Sequence, residues 1–317
     1  MQVDLVRVCK AFPSGPADDT LKPHDSLDHL LDLVDDDTRR DVRKMRFLGD
    51  ARRCLLGRLL TRSVLADRLD LAPSSFGFDK TETGRPYATQ GPLPAEPVPL
   101  DYNVSHDSDW VAVGSRPLHA GPSVHFKIGV DVMRVRNPWD GTTTREFYEG
   151  VAQQLTPRER TTFEASMLSA QDLPRILALW TLKEAYTKAT GEGLHLDLSR
   201  IEFRLDGLKL DVDRAPALRA SDEASETIGK GYLDGRELAG WTFDLVEFAA
   251  DGQTLHPRQN ETRGADSYLL AVAQQNVAGA TGEVTHWRTR PDWLNQVELE
   301  DVVRCLRART AGPSGCH

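Results

Sequence analysis

The chain has 317 residues, 39% of them hydrophobic and 27% charged, proportions that suit one large folded domain or two smaller ones and exclude an intrinsically disordered chain. A net charge of −9 argues against wholesale attraction to nucleic acid, so no nucleic-acid partner is expected. No run of about 18 apolar residues occurs, which excludes a membrane-spanning helix of ordinary length, and no membrane partner is expected.

The N-terminus lacks the basic-then-apolar pattern of a secretory signal. The cysteines, Cys9, Cys54, Cys305 and Cys316, form no CxxC pair, which fits reduced thiols and a cytoplasmic location.

Residues 2–8 read as a first strand, 11–23 as a loop and 27–34 as a short amphipathic segment. Between residues 39 and 62 stand nine basic residues and only two acids, below an upstream run of aspartates. That stretch is either a set of solvated helix faces or a focused anion site. A long helix is predicted from an Asp50 N-cap, with Leu55, Leu56, Leu59, Leu60 and Val64 as its apolar stripe. Arg52 and Arg53 fall in its first turn, where a bound anion would also meet free backbone N–H groups.

After Phe76-Gly77-Phe78, Gly84 and Pro86 make a constrained turn that presents Arg85. Residues 101–106 and 110–113 read as two strands, and 115–123 as the boundary between an N-terminal unit, 1–118, and a C-terminal unit, 119–317. In the next strand Phe126, Ile128, Val130 and Val132 alternate with Lys127, Gly129, Asp131 and Met133. Asp131 therefore lies on the opposite face from the apolar set, as a ligand or as an exposed aspartate.

Thr156-Pro157-Arg158-Glu159 has the composition of a capped helix start. A further helix is predicted over 175–190, ending at Gly191 and Gly193. It places Trp180, Glu184 and Lys188 on one face, as a surface ion pair or as part of a site. Strands are predicted at 201–205, 209–212, 241–248 and 268–273, mobile insertions within 213–235 and 251–266, a closing helix over 293–308 and a disordered tail.

No P-loop, dinucleotide fingerprint, nucleophile elbow or zinc motif is present. Ser105 and His106 are adjacent on a strand, so their side chains point to opposite faces, which argues against a hydrolase dyad.

Three stretches in order, Asn103-Val104-Ser105-His106, the Gly129-Val130-Asp131 run ending in Met133, and Trp180-Thr181-Leu182-Lys183-Glu184 ending in Lys188, resemble the 4′-phosphopantetheinyl transferase superfamily, in its larger surfactin-type branch. The eukaryotic-like members are the most similar, and the resemblance covers roughly residues 40–273. It implies an α+β fold of two similar subdomains about a pseudo-twofold axis. It also implies a reaction in which a serine hydroxyl of an apo carrier protein attacks coenzyme A, takes the phosphopantetheine arm and releases 3′,5′-ADP.

The same resemblance implies roles for individual residues. Asp131 and Glu184 would hold Mg2+, with Mn2+ as a substitute, and Glu184 would also take the serine proton. Lys183 and Lys188 would hold pyrophosphate oxygens, and Ser105 and His106 phosphate oxygens. Arg40, Arg43 and Arg53 would grip the 3′-phosphate, and Arg85, standing where the family has the lysine of GKP, would also bind coenzyme A. Met133 replaces a third acidic ligand found in many bacterial members; a thioether is a poor ligand for Mg2+, so a water is expected there, or Met133 fills the core. Expected partners are coenzyme A and carrier domains of fatty-acid, polyketide and nonribosomal-peptide synthases or aminoadipate reductase. Phe147 and Tyr148 are candidates for carrier contact. A monomer is expected, and the alternative reading is a non-catalytic binding module.

Overall fold

The computed structural model describes residues 1–12, 27–90, 96–118, 127–137, 141–164, 168–169, 172–210, 225–249, 267–275, 279–287 and 290–310. Most of the expected 11–23 loop, the insertion at 251–266, the tail, Cys316 and Phe126 lie outside the described residues.

Two sheets pack face to face. The first has the strand order Leu294–Val297, Gln2–Arg7, Trp110–Pro117, Leu100–Asp107. The second runs Arg236–Glu237, Ser225–Leu233, Glu283–Trp287, Trp241–Ala249, Ser267–Gln275, Ile128–Arg134, with Ile201–Arg204 pairing beside Ser225–Leu233. Period-two alternation sorts the side chains. Trp110 and Ala112 turn inward with Val3 and Leu5 to meet Ile128, Val130, Val132 and Phe248 of the other sheet. Val111 and Val113 turn outward, under the helix Leu48–Leu69. Ala271, Ala273 and Leu245 face outward from the second sheet, under the helix Leu173–Thr190. Each aliphatic side chain sealed in these layers contributes about 1.5–3 kcal/mol. A separate three-stranded sheet, Phe76–Lys80, Pro86–Gln90 and Glu96–Pro97, stands beside them. This α+β arrangement of two sheets, each backed by a long helix, fits the expected fold class.

Local signals explain several boundaries. Thr156 and Glu159 close a reciprocal cap, Glu159 N–H donating to Thr156 Oγ1 at 3.2 Å and Thr156 N–H to Glu159 Oε2 at 2.9 Å, and the helix Pro157–Glu164 follows. The helix Leu173–Thr190 stops at Gly191, whose φ of 76° is left-handed.

Other expectations are corrected. The long helix begins at Leu48 with Phe47 as N-cap, so Asp50 lies in the first turn and pairs with Arg53. Residues 225–230, expected within a mobile insertion, begin the strand Ser225–Leu233 because they pair with Glu283–Trp287, and from Lys230 on the same strand pairs with Ile201–Arg204. Lys209 and Leu210 are not in a strand, and 211–212 lie outside the described residues. The closing helix is shorter than 293–308: Leu294–Val297 is a strand parallel to Gln2–Arg7, and the helix is Leu299–Thr310. That helix buries Leu299, Val302 and Leu306 in the core beneath Leu48–Leu69. Residues 294–297 thus join the first sheet beside Gln2–Arg7. Phe147 and Tyr148 are buried, 2% and 8% exposed, and present no carrier-facing surface.

Candidate active site

The site forms where the helix Leu173–Thr190 crosses the edge strand Ile128–Arg134. Gly129 permits the crossing: a Cβ there would lie 2.0 Å from the Ala185 carbonyl oxygen and 2.5 Å from Ala189 N. Asp131, two residues on and on the same face, is thereby brought under the last turns of the helix. Lys188 Nζ lies 2.6 Å from Asp131 Oδ1 and also donates to Ser105 Oγ at 3.0 Å. Ser105 donates to Asp131 Oδ1 at 3.0 Å and accepts the Val132 N–H at 3.2 Å. Burial raises the pKa of Asp131 against the opposing pull of Lys188.

Ser105 belongs to a seam between the two sheets. Every second side chain of Leu100–Asp107 accepts an N–H from the unpaired edge of Ile128–Arg134: Asp101 from Ile128 at 2.8 Å, Asn103 from Val130 at 3.0 Å, Ser105 from Val132, and Asp107 from Arg134 at 2.6 Å. Side chains thus satisfy an edge that a further strand would otherwise pair.

One turn before Lys188, Glu184 is half-buried and borders the same cleft as Asp131. Its carboxylate has no hydrogen bond or ion pair among the described residues. Burial first, and then the charge of Asp131, raise its pKa. The cleft encloses about 620 Å³. Trp180 and Met133 form its apolar wall, and Met133 Sδ is 3.8 Å from Thr181 Oγ1, so this thioether packs against the helix. His106 stands at the rim. Desolvation first, and then the charges of Arg53 and Lys188, lower its pKa from the ordinary value. Arg53 donates to the Ser108 carbonyl at 3.0 Å, which holds it close to that rim.

Asp131 and Glu184 supply oxygen donors only, and their mutual repulsion is what a bound cation would relieve. This donor set fits a hard divalent ion that completes its shell with water and phosphate oxygens. Among the described residues there is no group of three or more His, Cys, Asp or Glu side chains placed to hold a metal.

The remaining expected residues lie elsewhere. Lys183, fully buried, donates to Glu159 Oε2 at 2.6 Å, the Gln154 carbonyl at 2.8 Å and the Leu198 carbonyl at 3.1 Å. With all three protons taken it cannot reach a phosphate, which corrects its assignment. Arg85 is also engaged internally, with Asp101, Ile128 and Lys188. Arg40 and Arg43 are exposed on the helix Asp36–Lys44 and pair with Asp37 and Asp28. Arg39 and Arg62 pair with Asp36 and Asp35. The upstream aspartates therefore neutralise much of the basic stretch, and of its members Arg53 reaches the cleft rim. Sequence reasoning missed Asp107, Arg134, Arg136 and Asn137, all lining the cleft. The alternation of short acceptors at 101, 103, 105 and 107 was the available signal for Asp107.

Paired carboxylates with a lysine and arginines beside one cleft are chemistry suited to a phosphorylated substrate. Comparison with known sequences is specific. A profile described as 4′-phosphopantetheinyl transferase, N-terminal, matches residues 22–118, and the 4′-phosphopantetheinyl transferase superfamily profile matches residues 127–228. The 4′-phosphopantetheinyl transferase pptA of Paxillus involutus is 35% identical over 234 residues, 73% of this chain and 79% of that protein. A phosphopantetheinyl transferase of Thraustochytrium sp. is 33% identical over 202 residues, 61% of this chain and 66% of that protein. The L-aminoadipate-semialdehyde dehydrogenase-phosphopantetheinyl transferase of Xenopus laevis is 28% identical over 253 residues, 80% of this chain and 70% of that protein. The chain belongs to the 4′-phosphopantetheinyl transferase superfamily.

Proposed function

We propose that the chain transfers the 4′-phosphopantetheine arm of coenzyme A to a serine hydroxyl of an apo carrier-protein domain. The serine oxygen forms a bond to the β-phosphorus, the pyrophosphate bridge breaks, and 3′,5′-ADP leaves. The observation that carries this reading is that Asp131, from a strand, and Glu184, from a helix, border one cleft, with Lys188 bonded to Asp131 beside it.

Such a reaction needs neutralised phosphates, a positioned nucleophile and a proton acceptor. Glu184, with no partner for its carboxylate among the described residues and a raised pKa, takes the serine proton directly or through water. Lys188 and Arg53 hold phosphate oxygens, His106 donates one N–H, and Arg134 and Arg136 add positive charge along the cleft. Mg2+, or Mn2+ in its place, would be held by Asp131 and Glu184 and would supply charge neutralisation at the pyrophosphate.

Carrier domains of fatty-acid, polyketide or nonribosomal-peptide synthases, or of aminoadipate reductase, are the acceptors we propose, with the protein acting as a cytoplasmic monomer. No described helix is long and apolar enough to cross a membrane. Incubation with coenzyme A, Mg2+ and an apo carrier protein tests the reading: the carrier serine should gain the phosphopantetheine mass. Tight coenzyme A binding with no transfer to any carrier tested would indicate a non-catalytic binding module.

A further inference from the structure

The resemblance set Arg85 among the groups that grip coenzyme A, but its surroundings give it other work. Arg85 leaves a turn in which its N–H donates to Thr81 Oγ1 at 3.0 Å. Its guanidinium then runs inward between the sheets. Nη1 and Nη2 donate to Asp101 Oδ1 and Oδ2 at 2.6 and 2.8 Å, Nη2 also to the Ile128 carbonyl at 2.9 Å, and Nε to the Lys188 carbonyl at 3.1 Å. Only 11% of the side chain is exposed.

The Lys188 carbonyl lies in the last turn of the helix Leu173–Thr190, where intrahelical donors run out. Its neighbour two residues on, the Thr190 carbonyl, accepts from Lys127 Nζ at 3.0 Å. Two cations therefore cap the negative end of the helix. Gly191 lies against the arginine stem, where a Cβ would approach Arg85 Cδ to 2.8 Å. One guanidinium thus joins the seam strand Leu100–Asp107, the edge strand Ile128–Arg134 and the helix turn that carries Lys188.

We propose that Arg85 is a positioning residue for Lys188, fixing the ammonium on Asp131 and Ser105, and not a ligand of coenzyme A. The inference rests on the transfer reaction proposed above. A lysine at this position could not reproduce the fork to Asp101 together with two carbonyl contacts. The two readings therefore make opposite predictions for Arg85→Lys: as a phosphate ligand lysine would serve, whereas as a clamp it would not.

Steady-state kinetics of wild type, R85K and R85A, with coenzyme A and apo carrier protein varied separately, tests this. Positioning predicts that R85K, folded by thermal melt, loses roughly tenfold or more in kcat while KM for coenzyme A stays within about threefold. It also predicts that adding R85A to Lys188→Ala changes kcat by less than about twofold, because the clamp then has nothing to place. Wild-type kinetics in R85K, or a roughly tenfold rise in coenzyme A KM at unchanged kcat, would overturn the proposal. If the wild type transfers to no carrier, the function reading has failed, and hydrogen exchange decides this inference separately. Faster exchange of the amides of residues 187–191 in R85K supports the clamp, and unchanged exchange overturns it.

Discussion

Lys183 and Glu184 are neighbours in the chain, yet Lys183 is sealed against Glu159 while Glu184 opens into the cleft beside Asp131. The helical rotation of about 100° per residue is enough to separate a buried staple from a reactive carboxylate. Lys183 also gathers the Gln154 and Leu198 carbonyls, so it ties the helix Leu173–Thr190 to two short helical turns, Ala152–Gln154 and Leu198–Arg200.

Replacing Lys183 by Met should therefore act on stability. Removing one partner leaves Glu159 buried and uncompensated, a loss of about 3–5 kcal/mol. Urea unfolding should show that loss, while coenzyme A affinity of the folded variant, by calorimetry below its melting temperature, should stay within about threefold of wild type. A large fall in affinity with unchanged stability would return Lys183 to the phosphate site.

Glu184→Gln removes the proposed proton acceptor and one oxygen charge while keeping the shape. Transfer should fall by about 10²–10⁴-fold, with coenzyme A still bound in a direct titration. Retained transfer would move the base elsewhere.

Gly129→Ala should push the helix from the strand, since its new methyl meets the Ala185 carbonyl. A cost of about 1–3 kcal/mol or more is expected, together with lost transfer, because Asp131 and Lys188 then no longer meet. Chemical denaturation and the carrier assay read the two effects separately.

Asp244 provides a pH signature away from the site. Burial pushes its pKa from 3.8 to about 6, even though Trp287 Nε1 and Gln274 Nε2 donate to it. Between those values the folded chain holds a proton that the unfolded chain has released, so stability falls as pH rises from 3.8 to about 6 and stays lower above. Asp244→Asn should remove that penalty, stabilising the protein at pH 7 by an amount on the order of 3 kcal/mol, with the gain vanishing towards pH 4. Denaturation at several pH values checks it.

Much of the site was legible because its residues obey local periodicities. Asp131 sits on the polar face of a strand, Trp180, Glu184 and Lys188 share a helix face, and Gly191 ends that helix. What escaped depends on long-range packing. A lysine in a motif carries no mark of burial, so Lys183 read like Lys188. Arg85 lies over 100 positions from the Lys188 carbonyl it holds, and nothing in its turn announces that destination. The aspartates at 28 and 35–37 looked like a solvated run, but several are the partners that neutralise the arginines following them. Residues 294–297 are too few to read as a strand before their parallel pairing with Gln2–Arg7 is known.

Asp131 and Glu184 are proposed to hold the divalent cation together, on the cleft that both border. Mn2+ titration followed by electron paramagnetic resonance, in the presence of coenzyme A, tests it directly on wild type, Asp131→Ala and Glu184→Ala. The wild type should bind one Mn2+, and each variant, folded and still binding coenzyme A, should lose that bound signal. Unchanged Mn2+ affinity in either variant would contradict the account.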